Sequence, residues 1–544
     1  MVTARLPGSR SPRPGAFGSP ILLRAESASV LRMSNDQDLR ERTVAGLNWR
    51  FLTVVVQFAF QFGIGVLLAR LLPPEDFGLV GLALIVIGFA RIINDLGLAE
   101  AIVQREDLTN RHIRVGVTSS VLLGMGLTAC MYGVAPVAAD ILRDGRVTPL
   151  LRFIGVSFFF SGFSIVGEAL LKRRLRFKQL MFVELISFVL GYGAVAIILA
   201  LSGFGEWSLA WGHLAQRVVN SVLAYAAVRH SLKPLFARTE FMQLASFGAG
   251  STLLKIFNYA ARQGDYFVIG RLLGPDPLGL YTRAYQLMKK PLTYTGQVLS
   301  SVLFPAVSRI QGEEEKVREA YSKAISVTAI VVLPSMVMFM IYAPEIIVGL
   351  YGAKWTGAII PLQVLAAFGL FRTVYHVAGA FMKAHGHVYR LFFFQVIYAG
   401  CVIGGAWIGA KRGGINGAAL AVGGAITVMY AMVISATNVL TSTSVAEFLK
   451  MHVPSLITSV PTAVFGLGSQ WALNQFELPS LIVFIGGSLL TGGGLILFFR
   501  VAPHVLIRSV SRIVSDVVEQ ESIPAPAAAV LRWVFLPPNP QEAS

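Results

Sequence analysis

The chain is short of charge and nearly without cysteine. Of its 544 residues only 14% are Asp, Glu, Lys or Arg, against roughly 25% in a soluble globular chain. So little charge cannot coat a soluble fold of this length, and 55% hydrophobic residues exclude a disordered chain. The two cysteines, Cys130 and Cys401, each sit inside an apolar run. They offer neither a disulfide framework nor a zinc site and read as small buried apolar residues. Acidic residues are scarce too: 29 Asp plus Glu face 46 Lys plus Arg, a net charge of +17. No GxxxxGK[ST], HExxH or GxSxG occurs, so no Walker loop, zinc-protease helix or nucleophile elbow is available. Asp36-Gln37-Asp38 is a DxD triplet without a nucleotide-binding domain around it. No connecting loop could form a soluble catalytic domain. The expectation is a protein that is not an enzyme, with no catalytic residues, no cofactor and no metal.

What remains is an all-α polytopic membrane protein. A helix crosses the hydrocarbon in about 20 apolar residues, and fourteen such segments are expected. They lie near 47–69, 79–99, 115–135, 150–170, 182–202, 206–228, 245–270, 285–308, 323–343, 357–382, 388–410, 414–440, 453–472 and 479–499. None shows the period-two alternation of a membrane barrel. With the N-terminus placed in the cytoplasm, 29 Lys or Arg fall on the cytoplasmic side and eight, Arg70, Arg143, Arg146, Arg271, Arg283, Lys354, Lys411 and Arg412, on the other. That bias puts both termini inside. It also accounts for the run from Lys172 to Lys178 without invoking nucleic acid. Residues 1–32 read as disordered, and Met33 looks like the natural start. Leu506, Val510, Ile513, Val514 and Val517 form one stripe suited to an interfacial helix.

The chain repeats itself. LARLLPPEDFGL at 68–79 matches IGRLLGPDPLGL at 269–280, with Arg70 against Arg271 and Gly78 against Gly279, both 201 apart. Ala135-Pro136 matches Ala343-Pro344 at 208; the segments ending at Lys172 and Lys383, and those beginning at Gly203 and Gly414, match at 211. Six helices per repeat is an even number, so both repeats enter the membrane the same way and are related by an axis along its normal. The expected plan is a tail at 1–46, a first lobe at 47–240, a second at 241–450, two added helices at 451–500 and an amphipathic tail at 501–544. The lobes flank a central cavity. Gly400/Gly404 and Gly405/Gly409 are expected to mark close helix contacts.

An ionisable group at membrane depth costs roughly 2.5–3.5 kcal/mol on insertion scales, so it should face a wet cavity or a partner. Arg50, Arg152, Lys289 and Lys290 lie near span ends and can snorkel. Arg91, Arg217, Lys255, Arg262 and Arg372 are deeper, against only Asp95, Glu184 and Asp265. Lys255, Asn258, Tyr259, Arg262 and Tyr266 follow a 3–4–3–4 spacing, one stripe of a helix. Arg91–Asp95, His213–Arg217 and Arg372–His376 each share a face, and Gln57 and Gln61 add amides. A cavity with surplus cations attracts anions, and the planar fork of Arg suits phosphate. Internal salt bridges that lock helices together are the competing explanation; they do not account for the excess of cations.

ARLLPPEDFGLVGLA followed by DLGLAEAIVQREDLT, and DYFVIGRLLGPDPLGLYTRAYQL with VLFPAVSRIQ, resemble bacterial polysaccharide repeat-unit flippases. These are the Wzx-type members of the multidrug/oligosaccharidyl-lipid/polysaccharide exporter superfamily. The resemblance covers about residues 40–450 and implies a twelve-plus-two helix plan in the bacterial inner membrane. It also implies ion-coupled rocking of two lobes that moves an undecaprenyl-pyrophosphate-linked oligosaccharide to the outer leaflet, for exopolysaccharide, capsule or O-antigen synthesis. Arg91, Arg217, Lys255, Asn258, Tyr259, Arg262, Tyr266 and Arg372 are then the expected substrate contacts, and Asp95, Glu184 or Asp265 the ion carrier. Partners would be the lipid-linked oligosaccharide, membrane lipids, and the polymerase and chain-length machinery. A peptidoglycan lipid-precursor flippase, a drug or metabolite exporter of the same build, and a membrane-embedded polymerase or ligase are the rivals.

Overall fold

The computed structural model describes residues 56–95, 97–289, 292 and 313–501. The 1–46 tail with Met33, Arg50, Lys290, most of the expected span at 285–308 and nearly all of 501–544 lie outside the described residues. Among the described residues the fold is all helix, with no strand. In order these are α1 (Val56–Leu71), α2 (Pro74–Asp95), α3 (Leu98–Gln104), α4 (Asn110–Leu142), α5 (Val147–Gly155) and α6 (Ser157–Arg173). Next come α7 (Phe177–Ile186), which runs through a π turn at Ser187–Ala194 into α8 (Val195–Leu201), then α9 (Glu206–Val228) and α10 (Arg238–Leu273). Residues 275–289 form α11. α12 (Glu314–Ile341), α13 (Ala343–Tyr351), α14 (Ile359–Ala367), α15 (Gly369–Ala384), α16 (Val388–Leu440), α17 (Val445–Lys450), α18 (Val453–Asn474) and α19 (Ser480–Val501) complete the chain.

Seven described helices are long and apolar enough to cross a membrane, eight when the pair Ala353–Ala367 and Gly369–Ala384, bent by 44°, is taken as one span. One of the seven, α16, is in fact a hairpin: Gly413 and Gly414 leave helical geometry, and Gly414 takes φ +58°. Glycine is the residue that adopts this without strain. Gly409 and Gly417 then face each other so closely that a Cβ on either would sit within 2.3 Å of the other's carbonyl oxygen. Gly405 packs at ordinary distance on Ala421, but Gly400 and Gly404 meet nothing within 4 Å. The contact expected at the Gly400/Gly404 pair is corrected: these two glycines face open space.

Helices outrun the apolar segments. α2 begins at Pro74 rather than 79, α4 at Asn110 rather than 115, α12 at Glu314 rather than 323. Their polar first turns project past the hydrocarbon. α4 is started there by a capping box, in which the His112 backbone N–H and the Thr109 hydroxyl meet while Thr109 N–H donates to His112 Nδ1 at 3.3 Å. Inside, water is not available to pair with polar groups. Buried hydroxyls therefore donate back to the preceding turn, as Thr328 does to Ala324 O (2.6 Å) and Thr491 to Gly487 O (2.7 Å). Backbones approach where glycine allows it. A Cβ at Gly124 would lie 2.4 Å from Phe158 O, and one at Gly162 2.7 Å from Ser120 O, which fixes α4 against α6.

Two spans break at matching places. α5 gives way to α6 at Val156, and α14 to α15 at Phe368, 212 residues later. Gly423 leaves room for the Phe368 ring. α10 runs along α16 and also touches α2, α3 and α4, so it joins both halves of the molecule. α18 and α19 pack on α12 and α13 and turn Trp471, Leu489 and Leu497 outward. Gln470 ties α18 down by donating to Glu345 Oε1 (2.8 Å) and Ile341 O (3.0 Å).

Candidate substrate cavity

A cavity of about 1160 Å³ lies between α2, α6, α9, α10, α15 and both arms of α16. α2 supplies Arg91 and Asn94; α6 supplies Ser161, Ser164 and Glu168; α9 supplies His213, Gln216 and Arg217. From the other half α10 presents Lys255, Asn258, Tyr259, Arg262 and Gln263, α15 presents Tyr375, His376 and Lys383, and α16 adds Gln395. Apolar patches from Ile87, Ile92, Leu391 and Phe392 alternate with these. The lining residues occupy the ends of α2, α6 and α15 that lead to the basic loops at 105–114, 172–178 and 383–390. The cavity thus sits toward the side expected to be cytoplasmic.

Beside its histidines and tyrosines, the lining carries five Lys or Arg, Arg91, Arg217, Lys255, Arg262 and Lys383, and one carboxylate, Glu168. Lys255 Nζ pairs with Glu100 Oε1 at 2.9 Å, the two side chains 32% and 41% exposed. Among the described residues Arg91, Arg217, Arg262 and Lys383 form no ion pair within 4 Å. The salt-bridge explanation therefore accounts for Lys255 and not for these four. Arg91 and Arg262 are solvent-exposed within the cavity. Asn94 Oδ1 and Gln263 Oε1 are buried without a partner among the described residues, so the wall also holds unspent acceptors, as a wet polar site does. Tyr259 is held differently: its hydroxyl donates to Ile85 O at 2.6 Å, and its ring lies over Gly88 of α2. That bond joins the two halves across the cavity floor.

The structure places six of the eight expected substrate contacts on this wall: Arg91, Arg217, Lys255, Asn258, Tyr259 and Arg262. Tyr266 and Arg372 lie behind it. Arg372 Nη1 donates to the Tyr285 hydroxyl at 2.6 Å, with its guanidinium 5.4 Å from the same ring. Tyr266 stands edge-on to Tyr281 and Tyr285, centroids 5.8 and 5.7 Å away. Asp265, 2% exposed, closes this cage by accepting from Tyr281 Oη and Tyr266 N, both at 3.0 Å. Glu184 also lies off the wall and accepts from Gln57 Nε2 at 2.9 Å, linking α7 to α1. The side chain of Asp95 lies outside the described part, and with it the Arg91–Asp95 pair.

Glu168 and Lys383 were not among the expected site residues. Glu168 was legible as the end of a Ser161–Ser164–Glu168 stripe with 3–4 spacing. Lys383 was visible as the repeat mate of Lys172, but a hydropathy reading assigns it to a loop. It sits in the last turn of α15 and faces the cavity. The amides Gln216 and Gln263 are sequence neighbours of Arg217 and Arg262 and gave no separate signal.

The model of a polysaccharide biosynthesis protein family matches residues 67–360, more than half of the chain. The lipopolysaccharide biosynthesis protein WzxC of Escherichia coli K12 is 26% identical over 390 residues, 70% of this chain and 78% of that protein. The succinoglycan biosynthesis transport protein ExoT of Rhizobium meliloti is 28% identical over 375 residues, 68% and 74% of the two chains. Among solved structures, the lipid II flippase MurJ in an inward closed conformation superposes with a TM-score of 0.66 at 16% identity, covering 84% of this chain and 99% of that one. An inward-facing multidrug resistance MATE family transporter gives 0.58 at 19% identity, over 71% and 96%. At such identities the likeness concerns the fold.

Proposed function

This chain belongs to the polysaccharide biosynthesis protein family, and from that premise we propose that it is a flippase. It moves undecaprenyl-pyrophosphate-linked oligosaccharide repeat units across the bacterial inner membrane for exopolysaccharide, capsule or O-antigen synthesis. The observation that carries this is the cavity wall, where five cations meet one carboxylate in a space of about 1160 Å³. A pyrophosphate is a compact anion with oxygens on all sides, and guanidinium groups bind such oxygens in pairs. The amides, Tyr259 and Tyr375 offer donors and flat faces to sugar hydroxyls and rings. The polyprenyl tail stays in the bilayer.

We read the architecture as two six-helix lobes, 47–240 and 241–450, entering the membrane in the same sense, with the helices of 451–500 added and both termini cytoplasmic. The lobes rock about the cavity in alternating access. Arg91 and Arg217 hold the headgroup from one lobe, Lys255 and Arg262 from the other, with Asn258 and Tyr259 beside them. Arg372 and Tyr266 shape the second lobe from behind. Asp265, Glu184 or Asp95 carries the coupling ion, and the polymerase and chain-length machinery receive the product. The reading is supported by the polysaccharide-related relatives and by transporters of similar fold.

Replacing Arg262 or Arg91 with Ala should stop polymer export in a strain lacking the native copy, while protein level and membrane insertion stay normal. Normal export from both variants removes the anion cavity. The fold likeness to a lipid II flippase keeps a second reading in view, transport of the peptidoglycan precursor. Depletion separates them: lysis supports the precursor, survival without surface polymer supports the repeat unit.

A further inference from the structure

At the end of the molecule away from the cavity, the repeat crosses over itself. The N-terminal turns of α2 and α11 meet. A Cβ on Gly78 would lie 1.7 Å from Pro275 O, and one on Gly279 would lie 1.9 Å from Pro74 O. Gly78 and Gly279 are 201 residues apart, and so are Pro74 and Pro275. Each turn thus touches the other's counterpart, which is the signature of an isologous contact about a two-fold axis. Backbone rests on backbone here, with no side chain between.

The arginines preceding these turns follow the same rule. Arg70, in the last turn of α1, donates through Nε to Leu350 O at 2.9 Å and through Nη2 to Gly349 O. Arg271, in the last turn of α10, donates through Nη1 to Ile141 O. The arginines are 201 residues apart; Gly349 and Ile141 are 208 apart, the offset already seen between Ala135-Pro136 and Ala343-Pro344. The acceptors are the last-turn carbonyls of α13 and α4. These lack intrahelical partners and carry the negative end of the helix dipole. So each lobe extends one cation onto the open end of a helix of the other lobe. One side is reinforced: Lys354 Nζ donates to Arg70 O and buried Trp355 Nε1 to Ala69 O, both at 2.8 Å.

We infer that Arg70 and Arg271 are a pair of symmetry-related latches that hold the extracytoplasmic gate shut while the cavity faces the cytoplasm, and that both release when it opens outward. The inference rests on the alternating-access reading but not on the identity of the substrate. The acceptors are uncharged carbonyls and the donors are water-accessible, so the latch is firm enough to bias a population and weak enough to break in each cycle. Its symmetry makes the two contacts release together when the lobes rotate about the axis between them.

The test needs no substrate. In a chain whose Cys130 and Cys401 are replaced by Ala, Ile165→Cys on the cavity wall reports access to a membrane-impermeant thiol reagent. In right-side-out vesicles it should label slowly. With R70Q and R271Q together it should label roughly five- to thirtyfold faster, the factor by which about 1–2 kcal/mol shifts a two-state balance. Each single variant should fall between, and the R70K/R271K pair, which keeps the charge, should stay near the parent. Unchanged outside labelling in R70Q/R271Q, with inverted vesicles labelling at the parent rate, overturns the latch. Should that double variant fail to accumulate, R271Q alone replaces it: intermediate labelling supports the inference and parent-like labelling overturns it. A protein that passes this test yet exports no polymer would speak against the flippase reading alone.

Discussion

Two charged regions lie one layer apart along α10 and α15 and are built in opposite ways. On the cavity wall Arg262 is exposed and has no ion pair among the described residues. Behind it Arg372 is bonded to Tyr285, and Asp265 accepts from Tyr281 and from a backbone N–H. Both regions hold ionisable groups inside the helical bundle. One leaves its donors unspent, and the other spends them on phenols. On the flippase reading proposed above, charge kept for a ligand and charge kept for the fold are told apart by their partners, not by residue type.

The comparison can be broken first at the cage. R372M removes a charged donor from a buried hydroxyl, and hydrogen bonds to charged groups are worth about 1.5–3 kcal/mol. Thermal unfolding in detergent should show a loss of that size, and Y281F, which removes the donor to the Asp265 carboxylate, should cost a similar amount, about 1.5–3 kcal/mol, while affinity for pyrophosphate changes less than twofold in both. A variant that keeps its stability and loses the anion would move Arg372 to the wall. The smaller effect lies at the Lys255–Glu100 pair. Both side chains are at least a third exposed, or nearly so, at 32% and 41%, and pairs of that exposure are worth about 0–1 kcal/mol. E100Q should leave the unfolding midpoint nearly unchanged and, by freeing Lys255 for the ligand, hold or tighten pyrophosphate binding. A large loss of binding would mean that Glu100 positions Lys255 rather than competing for it.

Much of the fold was legible because hydropathy reports the hydrocarbon. The segment expected at 206–228 is helical over Glu206–Val228, bounded by Gly205 at φ +53° and Arg229 at φ +47°. Boundaries elsewhere drifted because hydrogen bonds continue where apolarity stops, as at Asn110 and Glu314. The break at Phe368 and the π turn at Ser187–Ala194 left no trace in composition. They depend on which neighbour makes room, such as Gly423 for the Phe368 ring. In the site, the 255–258–259–262 stripe was readable because it needs only helical periodicity. Tyr266 continues that stripe by one turn, but there α10 has passed the end of the cavity and enters the tyrosine cage. Arg372 shares a face with His376, which lines the cavity, yet its side chain reaches back to Tyr285. Periodicity names a face; only packing says what that face meets.

The surplus of unpaired cations on the wall is tested most directly by binding. The protein in nanodiscs is titrated with inorganic pyrophosphate at low and high salt, alongside the R91Q/R217Q/R262Q variant. Two or three charge-assisted contacts of about 1.5–3 kcal/mol each are removed, so affinity should fall at least a hundredfold and its salt dependence should flatten. Equal affinity in the two proteins, or no binding by either in a sample that unfolds cooperatively, contradicts the account.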